Sequence, residues 1–114
     1  MVSQWFQGDL VLCDFNPSVG HEPQKQRPAL IVSNNQFNSN SSLVMVCPIT
    51  STDNGYPLHI EVGANVSGVS GFICLEQIRA LDLNARNAIT IGQVTAETLL
   101  RVVHLLTLSI EIVG

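Results

Sequence analysis

Apolar and polar positions first alternate over residues 9–15. Val11, Cys13 and Phe15 fall on one side of an extended segment, with Leu10, Leu12 and Asp14 on the other, a period of two that predicts a strand. Trp5, Phe6 and the turn residue Gly8 precede it. Asn16-Pro17-Ser18-Val19-Gly20 breaks the alternation and polar residues run on to Arg27, about twice the usual length of a hairpin connection. Ala29 to Ser33 is an apolar run too short for a helix, which predicts a central strand. Residues 34–42, rich in Asn and Ser, read as a loop with room for one helical turn around Gln36 and Phe37.

Leu-Val-Met-Val-Cys-Pro-Ile-Thr at 43–50 predicts a further strand. Pro48 donates no ladder hydrogen bond and is expected to mark an edge or a bulge, and a bulge would turn the Thr50 hydroxyl toward a groove. Asp53-Asn54-Gly55 is a turn signal, residues 59–62 a short strand, and 63–70 a second turn region. Residues 71–81 read as one long strand or two bent ones, with Glu76, Gln77 and Arg79 as a polar insert. A turn at 82–86 and a last strand at 88–94 follow. Thr95 is a fitting N-cap, Glu97 stands in the first turn where the helix dipole favours an anion, and a helix is expected from Ala96 to about Ile112. Its apolar positions cover more than one face, so either the sheet wraps it or a second copy of the chain covers it. Arg101 and His104, set among them, read as packing or interface residues. Six or seven short strands closed by one helix describe a mainly β fold, a small antiparallel barrel or strongly bent sheet.

The 114 residues fit a single domain over 1–114, with no repeat or linker. Composition adds a shortage of charge: 46% of residues are apolar and only 12% charged, a balance that favours self-association. The formal net charge of −4 argues against broad electrostatic capture of nucleic acid, so any phosphate site must be local. Cys13, Cys47 and Cys74 are odd in number and each lies among apolar residues, which reads as three buried thiols rather than disulfides or a metal site. His21, His59 and His104 share no ligand spacing, and neither HExxH nor CxxC occurs, so no structural metal is expected. Neither an export signal nor a run of eighteen apolar residues is present. The expectation is a protein of the reducing cytoplasm with no membrane segment.

Chemistry concentrates in residues 20–33. His21, Glu22 and Arg27 fall within seven residues, ahead of an apolar run that can anchor them to a sheet. Arg27 precedes Pro28, and the clash with the proline ring biases it to extended geometry, so its guanidinium leaves from a stiff strand start. Pro17 and Pro23 stiffen the same loop. That combination suits chemistry on a phosphate.

Several segments occur in a familiar order: Gly8-Asp9-Leu10-Val11, Asp14-Phe15-Asn16-Pro17, Gly20-His21-Glu22, Arg27-Pro28-Ala29-Leu30-Ile31-Val32-Ser33, Phe37-Asn38, Pro48-Ile49-Thr50, Gly55-Tyr56-Pro57, Gln77-Ile78-Arg79-Ala80-Leu81-Asp82 and Ala85-Arg86. With these the chain resembles the MazF/PemK (Kid) family of toxin endoribonucleases, from Gly8 into the helix after Thr95. The resemblance implies an SH3-like barrel with a C-terminal helix, the CcdB/MazF-like toxin fold, working as a homodimer. It further implies cleavage of single-stranded RNA without metal or other cofactor, leaving a 2′,3′-cyclic phosphate and a 5′-hydroxyl, and neutralisation by a cognate antitoxin.

On that resemblance Arg27 matches an active-site arginine and Thr50 the threonine that ends a Pro-x-Thr strand. Glu22 matches a glutamate placed in the active site of some members, and His21 a histidine used by others. Glu76 and Gln77 stand at an Asp-Gln pair, and Arg79, Lys25, Asn34 and Ser51 join them as expected RNA contacts. Two positions depart from the pattern: Glu76 carries one methylene more than the usual aspartate, and Cys74 stands where some members have a catalytic arginine. A guanidinium holds its proton too tightly to be a good acid near neutral pH, so Arg27 is expected to clamp phosphate oxygens while His21 or Glu22 moves protons. Glu76 alternatively reads as a surface carboxylate paired with Arg79. Two other readings stay open: a CcdB-like toxin that binds DNA gyrase and cleaves nothing, and a barrel kept as a binding module. Against the first, the lone tryptophan is Trp5 rather than a residue near the C-terminus.

Overall fold

The structure, a computed structural model, describes residues 4–15, 26–52, 55–63 and 68–113. The first alternating segment forms β1 (Asp9–Asp14), which pairs antiparallel with β2 (Gln26–Ile31), Leu10 opposite Leu30 and Cys13 opposite Arg27. Helix α1 (Asn35–Asn40) follows, begun by the Asn34 side chain, which accepts the Phe37 N–H at 2.8 Å. β3 (Val44–Thr50) returns along the other side of β2. β4 (His59–Glu61) and β5 (Phe72–Cys74) pair with each other, and a 3-10 turn at Leu75–Gln77 leads into β6 (Arg79–Leu81). β7 (Ile89–Gln93) then precedes α2 (Ala96–Ser109). The strands run β4-β5-β3-β2-β1-β7, with β6 also on β3. Every one of these pairings is antiparallel, in keeping with the mainly β class expected from the alternating segments.

Period-two patterning gives the sheet two apolar faces. Leu10, Leu30, Cys47, Ile49 and Ile73 belong to the layer that Val102 of α2 closes. Val11, Cys13, Ala29, Ile31, Val44 and Val46 pack on the other face with Trp5, Leu81 and Leu83. Each fully buried Leu, Ile or Val contributes about 1.5–3 kcal/mol. The three cysteines are buried and unbridged, and burial pushes the Cys13 thiol up to about 11 and that of Cys47 up to about 12. Asn38, also buried, donates to the Trp5 and Ser33 carbonyls at 3.1 Å and bonds the Ser33 hydroxyl, tying α1 to both the N-terminal segment and the end of β2.

Two expectations are corrected and one choice between alternatives is resolved. Pro48 marks neither an edge nor a bulge: β3 has neighbours on both sides and holds its register with β2 from Ile31–Val46 to Ala29–Pro48. Val32 N–H reaches the Met45 carbonyl at 2.9 Å, which fixes the hydrogen-bonding parity of the β2–β3 ladder and turns the Pro48 nitrogen away from β2. On that other side β6 ends at Val46 and β5 begins at Ile49, so the missing donor falls where the partner changes. Residues 71–81 are two strands joined by the 3-10 turn, as the bent alternative had it. Helix α2 ends at Ser109 rather than near Ile112, and of its residues only Val102 is fully buried; Leu100 and Leu108 face out.

Candidate active site

One face of the sheet, around the C-terminal end of β3, collects the candidate residues. Carried two residues beyond Ala29–Pro48, the β2–β3 register sets Arg27 opposite Thr50, both on the face where Ala29 and Val46 are buried. On the far side of β3, Thr50 pairs with Phe72 and Cys74 with His59, which puts those four side chains on that same face. Val46 lies opposite Arg79, adding a second guanidinium.

The two guanidiniums share an aromatic ring. Cζ of Arg27 stands 5.8 Å from the Phe15 centroid and that of Arg79 5.2 Å, within range of attraction by the ring's negative face. Phe15 is itself held: Arg86 donates to the carbonyls of Asp14 and Phe15 at 3.2 Å each, and Asn87 donates to the Asp14 carboxylate at 3.0 Å. Arg86 is thus spent on fixing the end of β1 whose ring orients Arg27 and Arg79.

Cys74 links Arg27 to Thr50. Burial raises its thiol and Glu76 adds to the rise, while the Arg27 guanidinium and a hydrogen bond from the Thr50 backbone pull it down. The Thr50 hydroxyl oxygen accepts the Thr52 N–H at 3.2 Å, which holds the end of β3 in a tight turn and leaves the hydroxyl hydrogen to donate.

Glu76 does not pair with Arg79. Its carboxylate lies 2.9 Å from His59 Nε2, because the 3-10 turn carries it back over β4, whereas Arg79 Nε donates to the Gln77 carbonyl at 3.5 Å. Burial by itself would raise the Glu76 carboxyl; the His59 hydrogen bond, with help from its own backbone and from Gln77, outweighs this and sets it below its ordinary 4.5. His59 is 2% exposed at its side chain, with the Tyr56 ring edge-on at 5.2 Å.

The structure therefore brings together Arg27, Thr50 and Arg79 with Glu76 close by, and leaves Gln77 and Ser51 exposed at the rim. Asn34 commits its side-chain oxygen to capping α1, so only its amide hydrogens remain for a ligand. His21, Glu22 and Lys25 lie outside the described residues. Phe15 and His59 join the site without having been singled out by the sequence.

Residues 6–110 match the family of PemK-like, MazF-like toxins of type II toxin-antitoxin systems. The chain belongs to this family. The endoribonuclease toxin ChpB of Escherichia coli is 40% identical, the match covering 87% of this chain and 91% of that protein. The endoribonuclease toxin MazF of the same organism is 30% identical over 87% of this chain and 89% of its own length. Among solved structures, MazF of Deinococcus radiodurans superposes with a TM-score of 0.80 at 34% identity, covering 96% of both chains, and a MazE-MazF complex from that organism gives 0.79 at 30% identity over 96% and 95%. In this member of the PemK-like, MazF-like family, Arg27 and Thr50 are neighbours on the sheet, and Cys74 stands on the strand beyond Thr50.

Proposed function

We propose that the protein is a sequence-specific endoribonuclease toxin that cleaves single-stranded RNA by attack of a ribose 2′-hydroxyl on the adjacent phosphate. The observation that carries this reading is the Arg27–Thr50 pair on one face, with Arg79 sharing the Phe15 ring, in a chain of the PemK-like, MazF-like family. The relatives named as endoribonuclease toxins, ChpB and MazF, support it over a gyrase-binding toxin.

The oxygen of the 2′-hydroxyl forms a bond to phosphorus, the bond from phosphorus to the 5′-oxygen breaks, and the products are a 2′,3′-cyclic phosphate and a 5′-hydroxyl. A base takes the 2′-proton and an acid returns one to the departing oxygen. Because the nucleophile is already on the substrate, no metal-activated water is needed. The Arg27 guanidinium forks onto the non-bridging oxygens and stabilises the charge that grows there; the Thr50 hydroxyl donates to the same phosphate. His21 and Glu22 are assigned the proton transfers, and Lys25, Asn34, Ser51, Glu76, Gln77 and Arg79 the surrounding RNA contacts.

The protein works as a homodimer and is neutralised by a cognate antitoxin, a reading supported by the MazE-MazF complex among the similar structures. It acts in the cytoplasm, where its three free thiols persist. No helix among the described residues is long and apolar enough to cross a membrane.

Purified protein is expected to cut single-stranded RNA in the presence of EDTA. Arg27→Ala should lower the rate at least about 100-fold, the cost of removing one oxyanion donor, with circular dichroism and sedimentation unchanged. Full cutting by that variant would refute the mechanism.

A further inference from the structure

The site's outer edge carries a cluster of which only Glu76 was given a part above, as an RNA contact. One ring nitrogen of His59, the Cys74 thiol and a Glu76 carboxylate oxygen all lie within 4.8 Å of one another. We propose that His59, Cys74 and Glu76 form a binding site for a zinc-class divalent cation whose occupation switches RNA cleavage off; the switching half rests on the endoribonuclease reading, the binding half does not.

The ligand set is assembled by the fold. His59 and Cys74 are directly opposite in the β4–β5 ladder, so their side chains rise together from one face, and the 3-10 turn immediately after β5 swings Glu76 over them. None of this follows a ligand motif along the chain, which is why spacing alone argued against a metal.

Imidazole, thiolate and carboxylate are together the donors of a borderline-soft cation, and zinc accepts all three in tetrahedral geometry. At metal–ligand distances of about 2.0–2.3 Å, tetrahedral ligands stand about 3.3–3.8 Å apart, so the 2.9 Å between His59 Nε2 and Glu76 must open slightly and a separation from Cys74 at the 4.8 Å limit must close by about 1 Å. Glu76, exposed and on a turn, can supply that movement. His59 and Cys74 need little: both side chains are nearly excluded from solvent, at 2% and 1% exposure. The ring is already aimed: His59 Nε2 faces the Glu76 carboxylate at 2.9 Å, while Nδ1, on the ring's other side, is buried without a hydrogen-bond partner among the described residues and takes no part in the cluster.

Three protein ligands leave a fourth tetrahedral position for water. Occupation would take the Glu76 carboxylate away from RNA and hold a divalent charge on β5, the strand that pairs with the end of β3 at Thr50. The scissile phosphate would then meet a competing cation one strand away from the Arg27–Thr50 pair. Cleavage in EDTA and silence in zinc are two states of one site.

Cobalt(II) tests the binding directly. Titrating the reduced, metal-free protein with Co2+ should give, at one equivalent, a sulfur-to-cobalt charge-transfer band in the near ultraviolet that Zn2+ displaces. Cys74→Ser should abolish the band, Glu76→Gln, at an exposed position that leaves the fold intact, should weaken binding at least tenfold, and Cys13→Ala should leave the band in place. Absence of a band, or a band that survives Cys74→Ser, overturns the site. Stoichiometric Zn2+ should slow RNA cleavage at least tenfold relative to EDTA, and the same ratio should fall toward one in Glu76→Gln. Binding with equal cleavage rates in both conditions overturns the switch. Binding by a protein that fails to cut RNA in EDTA upholds the cation site and refutes the nuclease reading.

Discussion

Two guanidiniums brought to one aromatic ring repel each other, and Phe15 is the residue that holds Arg27 and Arg79 in place without neutralising them. A carboxylate in that position would hold them more strongly and compete with the substrate; an aromatic face contributes about 0.5–1 kcal/mol per cation at such a site and leaves the hydrogen-bond donors free. Phe15→Leu keeps apolar volume in the pocket and removes the ring's negative face. It should cost about 1 kcal/mol of stability, read from urea unfolding, and weaken binding of a non-cleavable 2′-deoxy RNA analogue on the order of 3- to 10-fold, read by fluorescence anisotropy. Unchanged affinity would show that the ring is only core. Arg27 was legible in the sequence because it precedes a proline that restricts its backbone, and Thr50 because it ends a Pro-x-Thr strand. Phe15 and His59 were not, since their parts depend on which strand lies across from them, and strand register is a property of the folded sheet rather than of a local pattern.

At the level of elements, the site exists because β3 changes partners. Its N-terminal half is paired with β6 and its end with β5; the 3-10 turn that joins those two strands fills the gap and carries Glu76. Pro48, whose missing N–H was read as a sign of an edge or bulge in β3, instead faces the point where the neighbouring strand changes. Gly71 makes the other half of the arrangement possible. It has φ +124, and a Cβ there would come within 2.3 Å of the Thr50 carbonyl oxygen, so β5 can approach the end of β3 only with glycine at this point. Gly71→Ala should therefore cost about 2–5 kcal/mol, combining left-handed strain with overpacking. Gly68→Ala, at φ +76 with nothing near its Cβ, should cost only about 1–2 kcal/mol. Denaturant midpoints at constant m-value measure the difference, and equal costs would mean that the β3–β5 contact is not tight. In the sequence the glycine reads as the first residue of the strand segment 71–81. Its role was not visible there, because the atom it makes room for is 21 positions away along the chain, from Thr50 to Gly71.

For the whole molecule, the apolar surplus that marks the composition ends up on α2 and the segment after it. Ile112 is 97% exposed, Ile110 84% and Leu100 72%, and Ile110 also borders a groove of about 580 Å3 lined by Phe37, Leu58, Ile78 and Val103. A helix apolar on most sides was expected to be buried on most sides, either by the sheet or by another copy; the sheet fully buries Val102 and partly covers Leu105 and Leu106, which leaves the other side of the helix for the other copy. An ordinary stable interface removes about 800 Å2 per partner, roughly a ninth of the 6949 Å2 surface of this chain, and each isoleucine or leucine it covers contributes about 1.5–3 kcal/mol. Sedimentation at micromolar concentration should accordingly give twice the 12.3 kDa chain mass. Leu100→Glu, which keeps a helix-forming residue on α2, combined with Ile112→Glu in the segment after it, places unpaired carboxylates in the covered surface and should return the protein to a 12.3 kDa species with an unchanged far-ultraviolet spectrum. A dimer that survives both charges would place the interface on another face and leave the exposed side of α2 for a different partner.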